Sequence, residues 1–159
     1  MSLDFDQYAA KGNAFVNRVA EKLQVQREQA ARIVRSVLHA LRNRLSLDTS
    51  FNLLAQLPIA LKGVYVDGWK HTNDYIRLRH PEEFLDEVRR QDRGLAGYDF
   101  GNHEKAEKVT GVVFEELFGM ISEQEAAKVL QSLPEPLQSW VGKQKKGSNY
   151  EETTKNPAP

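Results

Sequence analysis

An all-α fold, a helical bundle of about eight helices built from two duplicated four-helix halves, is what the sequence predicts. Three observations carry the prediction. Apolar residues recur at three- and four-residue steps through two long segments. A Leu-Pro corner interrupts such a pattern twice, in "LAQLPIALKGVYVDGW" and again in "LQSLPEPLQSW". The two regions also superpose, without a gap, on a shift of 76 residues. Between 30–61 and 106–137 eight positions are then identical: Ala30/Ala106, Val37/Val113, Leu41/Leu117, Ser46/Ser122, Leu54/Leu130, Leu57/Leu133, Pro58/Pro134 and Leu61/Leu137. Nearly all are apolar positions that would face a core, as expected of a duplicated unit too small to bury its own apolar face.

The elements follow in order. Phe5, Tyr8, Ala9, Gly12, Phe15, Val16, Val19 and Leu23 mark a long first helix with a potential weak point at "KGN". Ala30, Ile33, Val34, Val37, Leu38, Leu41 and Leu45 form the stripe of a second, from about Gln26 to Leu45. Ser46 caps a short helix over Leu47–Gln56. Pro58 then forces a corner at Leu57, because proline has no N–H and disfavours a helical residue before it, and opens the next short helix.

The second half repeats this order. Pro81, with Glu82 and Glu83 behind it, starts a helix in which Phe84 and Val88 echo Phe15 and Val19. A longer connection, "DRGLAGYDFGNH", leads to the helix striped by Ala106, Val109, Val113, Phe114, Leu117 and Ile121. "SEQE" at Ser122 to Glu125 is a capping box for a helix over Glu123–Ser132, and Pro134 repeats the corner. The resulting division is one domain, 1–141, with halves 1–66 and 81–141, a turn-rich connection 67–80, and a polar tail 142–159 whose composition predicts disorder.

Composition narrows the function classes. A hydrophobic content of 40% in 159 residues is enough for a genuine core. The absence of cysteine excludes disulfides, thiolate nucleophiles and cysteine-based metal sites, and agrees with a reducing compartment. "MSLDFDQYAA" places acidic residues where a signal peptide would be basic, and no stretch approaches the ~20 apolar residues of a membrane span. Cytoplasm is the expected location, without a membrane partner. The net charge of zero conceals +5 over 1–80, −7 over 81–141 and +2 beyond. Opposite signs favour docking of one half on the other, or else head-to-tail self-association or a partner for one charged face.

The combination of "LPIALKGVYVDGW", the preceding helix end "LHALRNRLS" and the second "LPEPLQSW" resembles the bacterial family catalogued as domain of unknown function 2267, over roughly residues 11 to 141. The resemblance implies an all-helical duplicated domain of cytoplasmic bacterial proteins. It brings no activity or catalytic residue to carry over.

Candidate chemistry is sparse. No two histidines among His39, His71, His80 and His103 have helical metal-pair spacing; His103-Glu104 with Glu107 comes nearest, and no metal or cofactor is expected. The carboxylate runs Glu82, Glu83, Asp86, Glu87 and Glu115-Glu116 read as solvated, and no nucleotide or nucleophile motif occurs. Arg32, Arg35, His39 and Arg42 form one stripe opposite the apolar face of their helix, read as solvated or, less simply, as a phosphate-binding surface. The neutral domain, with no reading helix and no counterpart stripe in the second half, speaks against nucleic acid.

Two interaction candidates remain. Val112 and Phe118 stand outside the stripe of the second long helix, making it the more central one or giving it an exposed patch for a partner. Trp69, Tyr65 and Tyr75 cluster at the connection with His71, either sealing the join between the halves or lining a ligand groove. A non-catalytic protein-interaction or scaffold module, binding a protein partner or itself, is the first functional expectation. A small-ligand or sensing domain, with a pocket between the halves at Trp69, Tyr65 and His71, is the alternative, and an enzyme ranks third.

Overall fold

A computed structural model describes residues 3–70, 81–131, 135–136 and 138–143. Among them every regular element is helical: α1 (Phe5–Leu23), α2 (Arg27–Arg42), α3 (Leu47–Gln56), α4 (Ile59–Val66), α5 (Pro81–Gln91), α6 (Ala96–Phe100), α7 (His103–Gly119) and α8 (Glu123–Gln131), followed by helical residues at 138–143.

Local chemistry sets the ends of these helices. The Ser46 hydroxyl accepts from the Thr49 N–H at 3.2 Å, and the Ser122 hydroxyl from the Glu125 N–H at 3.2 Å, each satisfying a first-turn donor. At the corner Leu57 (φ −81°, ψ 149°) and Pro58 (φ −56°, ψ 148°) are both extended, so α4 starts at Ile59 with Pro58 as its N-cap. Leu57 and Leu61, both buried on either side, hold the corner by burial worth about 1.5–3 kcal/mol each. The equivalent corner at Leu133 and Pro134 lies outside the described residues.

Three expectations are corrected. α1 runs unbroken through "KGN": Gly12 is buried, and a Cβ there would lie 2.7 Å from the Ala60 Cβ, so the glycine is what lets α1 cross α4 closely. The connection "DRGLAGYDFGNH" contains α6, five residues that bury Phe100 and Asp99 completely and are too short for periodicity to reveal. α2 is at least as central as α7. It packs against α1, α4, α5, α6 and α7, and its buried residues include Ser36, His39 and Arg42 beside the apolar stripe. α7 packs against α1, α2, α5 and α6.

Phe15, Val19, Ile33, Val37, Leu38, Phe84, Val88, Val113, Phe114 and Leu117 meet in one apolar core. Contacts between the two ends of the chain are reciprocal: α1 lies on α7 while α2 lies on α5, and α3 lies on α8.

Candidate functional site

The cationic stripe of α2 is used inside the protein. Arg32 donates to both Asp99 carboxylate oxygens, 2.9 Å from Nε and 3.0 Å from Nη2, a bidentate pair that ties α2 to α6. His39 is 8% exposed, which overturns its expected exposure. Its Nε2 donates to the Val64 carbonyl at 2.8 Å, which fixes the proton on that nitrogen. Burial first, and the positive charges of Arg42 and Arg35, lower the His39 pKa against the pull of that carbonyl. Arg42 Nη1 donates to the Tyr65 carbonyl at 2.8 Å and the Asp67 carbonyl at 2.6 Å, capping the C-terminal end of α4. Arg35 alone of the four has no ion pair or hydrogen bond of its side chain among the described residues.

The charge asymmetry of the sequence becomes a set of ion pairs between residues 18–44 and 87–116. Arg18 and Lys22 of α1 meet Glu116 and Glu115 of α7 at 3.0 and 2.6 Å, and Arg44 meets Glu87 of α5 at 2.9 Å. Glu87 is therefore buried, contrary to its reading as part of a solvated run.

Tyr65 and Trp69 do come together, ring centroids 5.7 Å apart and nearly perpendicular. Tyr65 is fully buried, its hydroxyl 2.7 Å from Ser50 Oγ of α3, and burial pushes its pKa up to about 12. Trp69 is half-buried against the core, and the Tyr65 hydroxyl ties α4 to α3. His71, with Tyr75 and His80, lies outside the described residues. Phe118 is 6% exposed, in ring contact with Phe114 at 6.2 Å, and Val112 is half-buried against the same core. An exposed Phe118 patch is thereby corrected: Phe118 is buried in the protein's own core.

A concave apolar surface among the described residues is a groove of about 390 Å³ between α1, α2 and α4. Gly12 and Ala60 form its tightest point, and Val16, Val34, Leu61 and Val64 supply apolar walls. Among the described residues its polar lining is Asn13, Arg27, Arg32 and Arg35, with no carboxylate. Arg27 Nη2 donates to the Asn13 amide oxygen, a neutral partner, and the guanidinium has no ion pair among the described residues. The sequence missed this site because its walls come from three helices and each contributes residues that look like ordinary core.

Acid–base chemistry has one unusual pair. Asp92 and Asp99 are 5% and 0% exposed. Burial, and then the neighbouring Asp99, push Asp92 up to about 6. Burial opposes ionisation of Asp99 as well, but the Arg32 hydrogen bonds, then Asp92 and the charges of Arg32 and Lys105, outweigh it and hold Asp99 below the usual carboxylate range. The pair is enclosed by α6 and α2 and is not on the groove lining. His103 Nε2 lies 4.0 Å from Glu107, whose other oxygen accepts from Trp140 Nε1 at 3.1 Å. Among the described residues no three His, Asp or Glu side chains converge as a metal site, and no helix is long and apolar enough to cross a membrane.

The family model described as "Uncharacterized conserved protein (DUF2267)" matches residues 12–140, and the chain belongs to that family. No curated protein matches it.

Proposed function

We propose that this member of the DUF2267 family is a non-catalytic helical interaction module whose partner, a protein, binds in the groove between α1, α2 and α4. The observation that carries the proposal is the groove itself: apolar walls and a cationic lining, with no carboxylate among the described residues. The aromatic and α7 positions Tyr65, Trp69, Val112 and Phe118 then serve as the rigid support behind it. Reciprocal contacts of α1 with α7 and of α2 with α5 support an origin by duplication, one copy having kept the groove. The same reading places the module in a bacterial cytoplasm, with which its lack of cysteine is compatible.

The groove volume, within the range of small-molecule sites at about 300–1,000 Å³, favours a second reading, a small-ligand or sensing domain. A photo-crosslinking amino acid in place of Ala31 on the groove wall, compared with one at exposed Phe51 on α3, separates the two. A protein adduct in cells at Ala31 and not at Phe51 supports the interaction module. No adduct at Ala31, together with a retained small molecule in native mass spectra, replaces it by the second reading.

A further inference from the structure

The groove's charges make its occupant more specific. Arg27 and Arg35 both line it, eight residues apart on α2, which at 1.5 Å per residue is about 12 Å along the helix axis. Among the described residues Arg27 is hydrogen-bonded only to a neutral amide, Arg35 has no side-chain partner, and no carboxylate lines the groove. Arg32, the third arginine, is already neutralised by Asp99. Two uncompensated cations two helical turns apart, flanking Ala31 and Val34, make a pattern that a single-headed anion would answer at one end only. A helix with an apolar stripe bordered by two carboxylates two turns apart answers it at both.

The apolar line also continues past the groove. Phe5 is 70% exposed and lies on the same face of α1 as Ala9, Gly12 and Val16, with its ring 6.4 Å from that of Tyr8. This extends the docking surface by about one turn of α1, a length that suits a helix better than a compact ligand.

We infer that the groove between α1, α2 and α4 docks an acidic amphipathic helix of a partner protein, its apolar stripe against Val16, Val34, Leu61 and Val64 and its two carboxylates on Arg27 and Arg35. The inference rests on the interaction-module reading above and adds the chemistry of the partner.

The test uses the full chain and two fluorescein-labelled synthetic helices with the same leucine stripe, one bordered by two glutamates at the Arg27–Arg35 spacing and one by two lysines. Fluorescence anisotropy at low and moderate salt should show the glutamate helix binding about tenfold or more tighter, with the preference shrinking as salt rises. The variant R27E/R35E changes one exposed and one half-buried side chain, and circular dichroism confirms that it is folded. It should reverse the preference. Equal binding of both helices, or a preference that R27E/R35E leaves unchanged, overturns the acidic-helix inference. So does displacement of the glutamate helix by dodecanoate at equal concentration, which would assign the groove to a small amphiphile. In each case a protein adduct at Ala31 still leaves the interaction module standing, whereas its absence removes that reading itself.

Discussion

Arg44 and Glu87 form a 2.9 Å ion pair with side chains only 3% and 8% exposed, joining the end of α2 to α5. Glu87 is saturated: Oε1 also accepts from Asn43 at 3.2 Å and Gln91 at 2.8 Å, and Arg90 approaches Oε2 at 3.5 Å. Burial lowers the Arg44 pKa despite Glu87, a sign that desolvation consumes much of the Coulombic gain. Replacing one partner should therefore cost far more than replacing both. Arg44→Met is expected to lose about 3 kcal/mol in urea unfolding, and R44M/E87L to recover most of it. Equal losses in the single and double variants would mean that the pair is net stabilising.

Asp92 gives the protein a pH dependence of determinate sign. Its folded-state pKa of about 6 lies above the unfolded value, so between about pH 4 and pH 6 the folded state binds more protons. This group's contribution is fully present below the unfolded pKa and lost as pH rises through about 6. Asp99, depressed by Arg32, works in the opposite direction, losing stability as pH falls through the carboxylate range. Asp92→Asn keeps a donor toward Asp99 without the ionisation. Urea midpoints should rise in Asp92→Asn relative to the parent at pH 7.5 and converge on it as pH falls below about 4, and a constant offset at both would locate the raised acid elsewhere.

Much of this fold is legible because it is written in apolar spacing and punctuation. Leu47–Gln56 coincides with α3, and Ser46, Ser122 and Pro81 each start a helix where their chemistry requires. What spacing hides is the destination of a polar face. His39 and Arg42 look solvated beside Arg35, yet one binds Val64 and the other Tyr65 and Asp67, because α4 brings carbonyls to that side of α2. The same blindness covers Glu87 and Asp99, whose cations lie 43 and 67 positions away in sequence. The groove is hidden for another reason: Val16, Val34 and Leu61 have core spacing, and only the angle between three helices decides that they border a hollow.

Arg42 should act as the clasp of α4. Its charge-assisted bonds satisfy the carbonyls of Tyr65 and Asp67 at the helix end. Arg42→Met preserves much of the apolar stem but removes both donors, at an expected cost of about 1.5–3 kcal/mol. Hydrogen exchange should locate the loss: amides of α4 lose protection in Arg42→Met while those of α7 keep theirs beyond the global shift. Uniform loss across both helices would deny Arg42 a local role.

Gly12 and Ala60 set how closely α1 approaches α4, and hence the shape of the groove that both line. On helix propensity alone Gly12→Ala should stabilise α1 by about 1 kcal/mol, since glycine costs the most backbone entropy of any residue. The new Cβ would instead meet the Ala60 Cβ at 2.7 Å, and neither methyl can rotate away, so the helices must separate. Overpacking of this kind costs about 1–3 kcal/mol, which offsets the propensity gain and leaves Gly12→Ala destabilised or, at best, neutral. Moving the methyl rather than adding it resolves the ambiguity. In G12A/A60G the glycine sits on α4 and the clash is gone, so thermal unfolding should return close to the parent even though Ala60→Gly alone lowers it. A strongly positive interaction between the two substitutions would establish the contact, and simple additivity would show that α1 and α4 cross at a distance that does not require glycine.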